Sequence, residues 1–221
     1  ADNANGIFEA IQHLVDHGHR QIAFLAGSPE DMNGDTGERL NAYLGALRSF
    51  GLDHDPGRVV FGRHVYDGGY AAMHQILDAG IDFTAVLSSN DEMALGAMKA
   101  LQEAGRRIPQ DIAMIGFDNR LEGAAYDPPL SSIHVPLFTM GQKGVELLLR
   151  HIEEKSELPA CTKIPARLII RESCGCGPKQ YFRARSEAAS QPSDGAREKQ
   201  WSSLVPAISE TIISQAQSLG E

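Results

Sequence analysis

The sequence is poor in cysteine and has no long hydrophobic run. Its 221 residues include three cysteines, and Cys174 and Cys176 are separated only by Gly175. An odd number of cysteines does not make a disulfide framework, so reduced thiols in a cytoplasmic protein are the simpler interpretation. No stretch approaches the ~20 consecutive apolar residues that a transmembrane helix needs, and the amino-terminal residues lack the pattern of a secretory signal. These absences exclude an integral membrane protein and predict no membrane partner.

The sequence also lacks an excess of positive charge. Lysine and arginine total 20 against 29 acidic residues, so the net charge is −9 at neutral pH. A nucleic-acid-binding surface normally carries a basic patch, and the chain is therefore not expected to bind DNA by itself. The composition, 42% hydrophobic and 22% charged, is that of a globular domain rather than of a disordered or collagen-like chain.

Helical and strand patterns alternate over the first half of the chain. Apolar residues at helical spacing predict helices over 6–17, 40–50, 70–77 and 93–101, each closed by a glycine. Short apolar runs predict strands at 22–25, 59–61, 83–87 and 112–117. Four helix-then-strand units in a row predict an α/β fold, a doubly wound parallel sheet with helices on both faces.

After these units the pattern changes. A proline-containing loop leads to residues 133–136, a helix is predicted near 137–154, and a strand is predicted at 168–170. Residues 178–200 are rich in serine, alanine, arginine and glutamine without an apolar period, which indicates a linker. Residues 201–221 repeat apolar residues at three- and four-residue steps, which predicts an amphipathic helix whose apolar face needs a partner.

Three polar residues are expected at one edge of the predicted sheet. Ligands of open parallel sheets bind beyond the carboxyl ends of the strands, and Arg39, Asn90 and Asp118 follow predicted strands there. Arg39 offers a guanidinium that donates several hydrogen bonds, Asn90 an amide that both donates and accepts, and Asp118 a carboxylate that accepts. Because each hydroxyl of a sugar or nucleoside needs both a donor and an acceptor, this set fits a polyhydroxylated ligand.

A structural role is an equally open alternative for Asn90 and Asp91. Both stand at the start of a predicted helix, where Ser89 and Glu92 have the spacing of a capping box and where acidic residues favour the helix dipole. Arg39 could equally be a solvated arginine on its helix. For Asp118 the structural alternative is weaker, because no helix clearly begins after its strand.

Signals for catalysis or for a cofactor are weak, and binding without turnover is predicted. The sequence has no Gly-x-Ser-x-Gly nucleophile turn, no phosphate loop and no dinucleotide-binding fingerprint. His13 and His17 have the i, i+4 spacing of a zinc pair, yet the glutamate that a metalloprotease needs is absent. Cys174 and Cys176 would need two more ligands, which the residues after them do not supply. We therefore predict no enzyme, no cofactor and no metal.

Several motifs occur in order along the chain. They are Ser-Asn-Asp-Glu-Met-Ala-Leu-Gly at 89–96, Asp-Ile-Ala-Met-Ile-Gly-Phe-Asp at 111–118, Pro-Pro-Leu-Ser-Ser-Ile at 128–133, Arg-Leu-Asn-Ala-Tyr at 39–43 and Arg-Leu-Ile-Ile-Arg-Glu-Ser at 167–173. As a set they resemble the effector-binding core of the lactose-repressor/galactose-repressor (LacI/GalR) family. The resemblance covers about residues 1–175.

The resemblance implies a periplasmic-binding-protein-like fold of type I, in which two lobes enclose a ligand cleft. On this pattern residues 1–133 form most of the C-terminal lobe. Residues 134–157 belong to the N-terminal lobe, and residues 158–177 return to the C-terminal lobe. The chain is then mostly a C-terminal lobe and carries one side of the cleft.

The resemblance also assigns candidate ligand contacts. The family's effector-contacting arginine, asparagine and aspartate map onto Arg39, Asn90 and Asp118. Asp91 and His64 are additional candidates, although Asp91 is expected to be mainly structural. Because other positions of the family pattern differ here, the identity of the effector stays open.

The function that the resemblance implies is small-molecule sensing without catalysis. It predicts a cytoplasmic homodimer that binds a carbohydrate or nucleoside-like effector and that reaches DNA only through an N-terminal headpiece absent from this sequence. The alternative is a fused signalling protein, because the tail after residue 175 looks more like the helical linker of members that continue into a diguanylate cyclase or a histidine kinase.

Overall fold

The computed structural model describes residues 1–155 and 157–176. The predicted linker at 178–200 and the predicted amphipathic helix at 201–221 lie outside the described residues. Within the described part, no helix is both long enough and apolar enough to cross a bilayer.

Helices and strands alternate, and all four predicted helix–strand units are present. The helices are α1 (Asn3–Asp16), α2 (Asp35–Ser49), α3 (Tyr66–Asp78), α4 (Asp91–Glu103), α5 (Leu121–Ala124) and α6 (Leu137–Glu154). The strands are β1 (Ile22–Ala26), β2 (Val59–Phe61), β3 (Ala85–Ser88), β4 (Ala113–Asp118), β5 (Ser131–His134) and β6 (Arg167–Ile169). Helices α2 and α4 begin before their first predicted apolar residue, because their first turns are acidic and favour the positive end of the helix dipole.

The sequence pattern does not predict the short helix α5, which begins three residues after Asp118, so the expectation that no helix follows that strand is wrong. It also does not predict strand β5. Its first residues, Ser131 and Ser132, are polar and fully buried. The Ser132 hydroxyl donates to the Asp91 carboxylate at 2.6 Å, and the Ser131 hydroxyl oxygen accepts from the Arg171 backbone N–H at 2.8 Å. A buried strand that satisfies polar side chains in this way has no apolar period, so hydrophobic periodicity does not detect it.

The six strands form one sheet in the order β2-β1-β3-β4-β5-β6. The first five strands are parallel, and β6 runs antiparallel to β5 at the edge. The predicted doubly wound parallel sheet is therefore confirmed, with an antiparallel edge strand added. Since β2 pairs with one side of β1 and β3 with the other, the loops that follow β1 and β3 diverge. Such a reversal of strand order leaves a crevice at the carboxyl ends of the strands.

Alternate side chains of the central strands enter two separate cores. Ile22, Phe24 and Ala26 of β1 pack in a core with α1 and α2, whereas Ala23 and Leu25 pack in a core with α3 and α4. Because successive side chains of a strand point to opposite faces of the sheet, each pair of helices covers one face. The strand is buried on both faces, which explains why its sequence is a continuous apolar run.

Helix α6 differs from the other long helices because none of its residues is buried. Leu137 is 72% exposed and Leu148 is 54% exposed, whereas α1 to α4 each bury several apolar side chains. The apolar residues of α6 therefore belong to neither core of the described domain. That residues 134–157 form part of a second lobe stays a prediction.

Helices α3 and α4 approach each other closely at two glycines. A Cβ atom on Gly69 would collide with the backbone of Met93, and a Cβ atom on Gly96 would collide with the backbone carbonyl of Tyr66. The atoms that these methyl groups would meet belong to the main chain, so they cannot move without shifting a whole helix. Glycine at both positions therefore allows the two backbones to pack in direct contact.

The carboxylate of Asp91 joins α4 to strand β5 and to the turn that follows β4. Its two oxygens accept one hydrogen bond each, from the Ser132 hydroxyl and from the Arg120 backbone N–H, both at 2.6 Å. The side chain is almost fully buried. Burial raises the pKa of Asp91 to about 6, although both hydrogen bonds act in the opposite direction. This carboxyl group therefore contributes to stability in a pH-dependent way.

Replacing Gly69 with alanine is expected to lower the free energy of unfolding by at least about 2 kcal/mol, because the added methyl group overpacks the contact between α3 and α4. Gly45→Ala in α2 is the matched control, since its Cβ would meet no atom closer than 3.9 Å. Alanine should there stabilise the helix by about 0.5–1 kcal/mol. Urea unfolding followed by circular dichroism measures both variants, and equal stabilities would contradict the close contact.

The stability difference between the wild type and Asp91→Asn is expected to depend on pH. Between the ordinary pKa of 3.8 and the native value of about 6, the unfolded chain has released this proton while the folded chain retains it. Raising the pH from 4 to 7 should therefore reduce the stability of the wild type, relative to Asp91→Asn, by on the order of 3 kcal/mol. Urea unfolding at several pH values measures this difference.

A less buried neighbour, Glu92, supplies the control for this experiment. Glu92→Gln removes a carboxylate from the same turn of α4, and its relative stability should change much less over the same pH range. A difference between the wild type and Asp91→Asn that stays constant from pH 4 to 7 would contradict the predicted role of burial.

Candidate functional site

An open cleft of about 580 Å³ lies at the carboxyl-terminal edge of the sheet. The beginning of α1, the first turns of α2, the segment after β4 and the beginning of α6 surround it. Its polar lining includes Asn3, Asp35, Arg39, Asp118, Asn119 and Arg120, and its apolar lining includes Val135, Leu137 and Met140. The cleft therefore brings together two of the predicted site residues, Arg39 and Asp118.

The guanidinium group of Arg39 is held by acceptors from three parts of the chain. Its Nε atom donates to the Asn3 side-chain oxygen at 3.2 Å, its Nη1 atom to the Ser89 carbonyl oxygen at 2.6 Å and its Nη2 atom to the Asp35 carboxylate at 3.2 Å. The side chain is only 6% exposed. The alternative of a solvated helix arginine is therefore wrong, since this side chain is fixed in the interior beside the cleft.

The charge of Arg39 is balanced by groups on several sides. The guanidinium carbon lies 3.9 Å from the centre of the Phe117 ring, a distance at which a cation is attracted to the aromatic face. Burial lowers the pKa of Arg39, while the carboxylates of Asp35 and Asp118 raise it. These neighbours offset part of the cost of placing a positive charge in the interior.

Asp118 ends β4 with an unusual backbone conformation and an open carboxylate. Its φ angle is +103° and that of Asn119 is +58°, a region that few residues other than glycine adopt. No described residue donates a hydrogen bond to the Asp118 carboxylate, in contrast to Asp91. Burial raises the pKa of Asp118, and the positive charges of Arg39 and Arg120 oppose that shift. The strained turn thus presents an acceptor to the cleft.

The neighbouring Asn119 is fixed by side chains from β5 and from the segment that follows β6. Its amide oxygen accepts from Nη2 of Arg171 at 2.6 Å, and its amide nitrogen lies 3.3 Å from Nδ1 of His134. Its backbone N–H donates to the Ser132 hydroxyl at 2.9 Å. Because three residues hold it, the turn after β4 has a defined shape.

Asn90 and its neighbours begin α4 and do not line the cleft. The Asn90 side-chain oxygen accepts from the Met93 backbone N–H at 2.9 Å, which makes Asn90 the N-cap of the helix. The capping box expected for Ser89 and Glu92 is therefore wrong. Instead, the Ser89 hydroxyl is buried without a hydrogen-bond partner among the described residues. Asp91, described above, also lies outside the lining.

His64 lies on the loop that follows β2, beside the glycine turn after β1. Its Nε2 atom is 3.0 Å from the Thr36 hydroxyl, and its backbone carbonyl accepts from the Asn90 amide at 2.9 Å. Burial and the charge of Arg39 lower the pKa of His64. Like Asn90 and Asp91, His64 is outside the cleft lining, and direct ligand contact by these three residues stays a prediction.

The sequence-based prediction does not include Asn3 and Asp35, although both hold Arg39 in place beside the cleft. Asn3 donates from its amide to the carboxylates of Asp35 and Glu38, at 2.9 and 2.8 Å, and it accepts from Arg39. The i, i+4 spacing of Asp35 and Arg39 is a signal that could have indicated their ion pair. Nothing in the local sequence marks Asn3, because its partners lie more than 30 positions away.

The cleft supplies hydrogen-bonding groups, among them the carboxylates of Asp35 and Asp118. Its described lining contains no serine, threonine, cysteine, lysine or histidine that could act as a nucleophile or as its base. Among the described residues, the side chains with metal-ligand geometry are His13, Cys174 and Cys176, and they lie near the other end of α1. The arrangement at the cleft is suited to holding a polar ligand.

The periplasmic binding protein-like domain family matches residues 11–174. The HTH-type transcriptional regulator CelR of Thermobifida fusca is 37% identical over 172 residues, which cover 78% of this chain and 50% of CelR. The HTH-type transcriptional repressor PurR of Pasteurella multocida is 38% identical over 168 residues, which cover 76% of this chain and 50% of PurR. The chain thus spans about half the length of the curated relatives it matches.

Solved structures share the architecture. The CelR–cellobiose complex aligns with a TM-score of 0.72 at 35% sequence identity. The alignment covers 78% of this chain and 52% of the CelR chain. The lac repressor dimer bound to operator and the anti-inducer ONPF aligns with a TM-score of 0.72 at 31% identity, covering 78% and 51%. These relatives are named as regulators or repressors of transcription, which agrees with the prediction of a binding domain. The chain belongs to the periplasmic binding protein-like domain family, in the form that LacI-family regulators use to bind effectors.

Proposed function

We propose that this chain forms one wall of a cleft that binds a carbohydrate or nucleoside-like effector. The observation that carries the proposal is the pairing of a fixed guanidinium with an open carboxylate. Arg39 is immobilised by three protein acceptors, while Asp118 accepts no hydrogen bond from the described residues. Both line the same cleft, so one presents donors and the other presents acceptors to a ligand.

A polyhydroxylated ligand matches this arrangement better than a lipid does. Of the five N–H groups of a guanidinium, three are used by the protein at Arg39, which leaves two for a ligand. Each hydroxyl that accepts from Arg39 can donate its own hydrogen to Asp118, and hydrogen bonds to charged groups are the stronger ones. The solved CelR structure is a complex with cellobiose, and a carbohydrate is therefore the first class to test.

The second wall of the cleft would come from an N-terminal lobe. The relatives are about twice as long as the matched region, and α6 buries none of its residues within the described domain. In this proposal residues 1–133 and 158–177 form the C-terminal lobe, and residues 134–157 pack into the other lobe. The apolar side chains of α6 would then be covered by that lobe.

The whole protein, in this proposal, is a cytoplasmic and homodimeric regulator of transcription. CelR and PurR are named as HTH-type proteins, so DNA would be bound through a headpiece outside this chain. Ligand would close the two lobes and change how the dimer presents that headpiece, provided that it binds one arrangement more tightly than the other. The resemblance of the tail to linkers of fused cyclases and kinases keeps a signalling output as the alternative. Sequencing the reading frame on both sides distinguishes the two outputs.

Asp118→Asn in the intact protein is expected to weaken effector binding by about tenfold to a hundredfold, because a ligand hydroxyl loses a charged acceptor. Asparagine tolerates a positive φ angle, so the turn should keep its shape. Isothermal titration calorimetry with cellobiose, other glycosides and nucleosides makes the measurement.

Asp78→Asn is the control, since this exposed aspartate ends α3 and does not line the cleft. It should bind as the wild type does. If no sugar or nucleoside binds the intact wild type, the proposed ligand class is wrong. If one binds and Asp118→Asn leaves its affinity unchanged, the proposed site is wrong.

The isolated chain is expected to bind the same effector far more weakly than the intact protein, because it supplies only one wall. If half of the binding free energy is lost, a Kd of about 1 μM becomes a Kd of about 1 mM. Calorimetry on both proteins, with circular dichroism to check that the isolated chain is folded, measures the difference. Similar Kd values for the two proteins would contradict the division into two lobes.

A further inference from the structure

Two histidines and two cysteines meet near the carboxyl-terminal end of α1. His13 lies in the last turn of α1, and His17 is the residue immediately after the helix. Cys174 ends the 3-10 turn that follows β6, and Cys176 lies two residues further on. Although His13 and Cys174 are 161 positions apart, His13 Nε2 lies 3.2 Å from Cys174 Sγ and 3.5 Å from Cys176 Sγ. His17 Nε2 lies 3.3 Å from Cys176 Sγ. The histidine pair of α1 and the cysteine pair after β6 therefore form one cluster.

We propose that these four side chains bind one Zn²⁺ ion. In a tetrahedral site with Zn–S near 2.3 Å and Zn–N near 2.1 Å, a sulfur and a nitrogen ligand are separated by about 3.6 Å. The observed N···S distances of 3.2, 3.3 and 3.5 Å are close to this value. The donor atoms of His13, Cys174 and Cys176 all lie within 4.8 Å of one another, so a metal ion fits among these three with small movements of the side chains. His17 is not part of this group of three and would become the fourth ligand by moving from its position beside Cys176.

The hydrogen bonds of His17 favour metal binding. Its Nδ1 atom lies 2.8 Å from the backbone carbonyl of His13, so Nδ1–H donates to that oxygen. In the neutral ring the Nε2 atom then carries a lone pair, and this is the atom beside Cys176. Zinc-binding histidines commonly use their second nitrogen in this way, which fixes the orientation of the ring.

The surroundings of the cluster are also those of a metal site rather than of a surface patch. Cys174 is 1% exposed and Cys176 is 5% exposed, and both belong to the apolar core beneath α1. The two thiols are therefore held inside the protein beside His13, which approaches both of them.

The donor set selects the class of metal. Two thiolates and two imidazoles in a tetrahedral arrangement favour Zn²⁺, whereas Mg²⁺ and Ca²⁺ require oxygen ligands. Binding would convert the two cysteine thiols to thiolates, and their two protons would leave to solvent. No electron transfer is involved, and the four sulfur and nitrogen donors complete the coordination.

The proposed site is separate from the effector cleft and does not depend on the proposed function. Asn3, at the beginning of α1, lines the cleft, and His13 lies ten residues further along the helix, at a distance of about 15 Å. The metal would tie the 3-10 turn at Glu172–Cys174 to α1. Its role would be to anchor the turn that follows β6 to the first helix.

The first experiment is a Co²⁺ titration of the metal-free 221-residue chain under reducing conditions. Tetrahedral Co²⁺ with thiolate ligands gives intense visible absorption and a sulfur charge-transfer band. We expect both signals to saturate at one equivalent and to disappear when Zn²⁺ is added. Native mass spectrometry should show one Zn²⁺ per chain, and the melting temperature should rise with Zn²⁺ and return to its starting value with a chelator.

Variants identify the ligands. The tetrahedral spectrum should be lost in each of three variants, Cys174→Ser, Cys176→Ser and His13→Gln. His17→Gln should weaken Zn²⁺ binding by at least about 10–100-fold, which is the loss seen when a residue that hydrogen-bonds to a zinc ligand is changed. Cys161→Ser and His54→Gln are the matched controls, because both residues are exposed and neither belongs to the cluster. Circular dichroism shows whether each variant is folded.

The wild type alone can overturn the proposal, even if a buried cysteine variant fails to fold. Absence of the tetrahedral Co²⁺ spectrum at one equivalent, or a Cys174–Cys176 disulfide that persists under the reducing conditions, would show that the cluster is not a zinc site. A spectrum that a folded Cys174→Ser variant retains would also overturn it. Loss of effector binding by Asp118→Asn leaves each of these outcomes unaffected, so the two proposals fail independently.

Discussion

The burial of the Arg39 guanidinium is the interaction on which the cleft depends. A charged group is tolerated in the interior only when its donors are satisfied. Here the acceptors come from Asn3 of α1, Asp35 of α2 and the Ser89 carbonyl after β3, and the Phe117 ring lies against the guanidinium. One side chain therefore joins three elements, and the contacts that hold these elements together also set the position of the charge that faces the cleft.

The same edge of the sheet carries the strained parts of the backbone. Arg63 and His64 after β2, and Asp118 and Asn119 at the end of β4, all have positive φ angles. Such conformations cost about 1–3 kcal/mol each and persist where surrounding contacts hold them. The Asn90 amide bonds the His64 carbonyl, and several side chains hold Asn119. The central strands β1, β3 and β4 are almost entirely buried, so the strained turns at their carboxyl-terminal edge are supported by a well-packed core.

The sequence by itself determined the class of fold, the order of the helix–strand units and two of the residues that line the cleft, Arg39 and Asp118. Helical and strand periodicities are local properties, and a continuous apolar run such as 22–25 allows only a buried strand in this context. Arg39 and Asp118 could be located because the carboxyl ends of parallel strands meet at one edge. Strand β5 could not be predicted in this way, because buried serines stand where hydrophobic periodicity would require apolar residues.

The tertiary structure decided which candidates face the cleft and which side chains meet across the chain. Only the tertiary structure shows that Asn90, and not Ser89, caps α4, and that the Asp91 carboxylate accepts from Ser132 and from the Arg120 backbone. The His13–Cys174 contact joins residues 161 positions apart. It exists because the chain continues past β6 and returns beside the last turn of α1. Sequence spacing describes geometry within one element, whereas contacts between distant elements depend on how the whole chain packs.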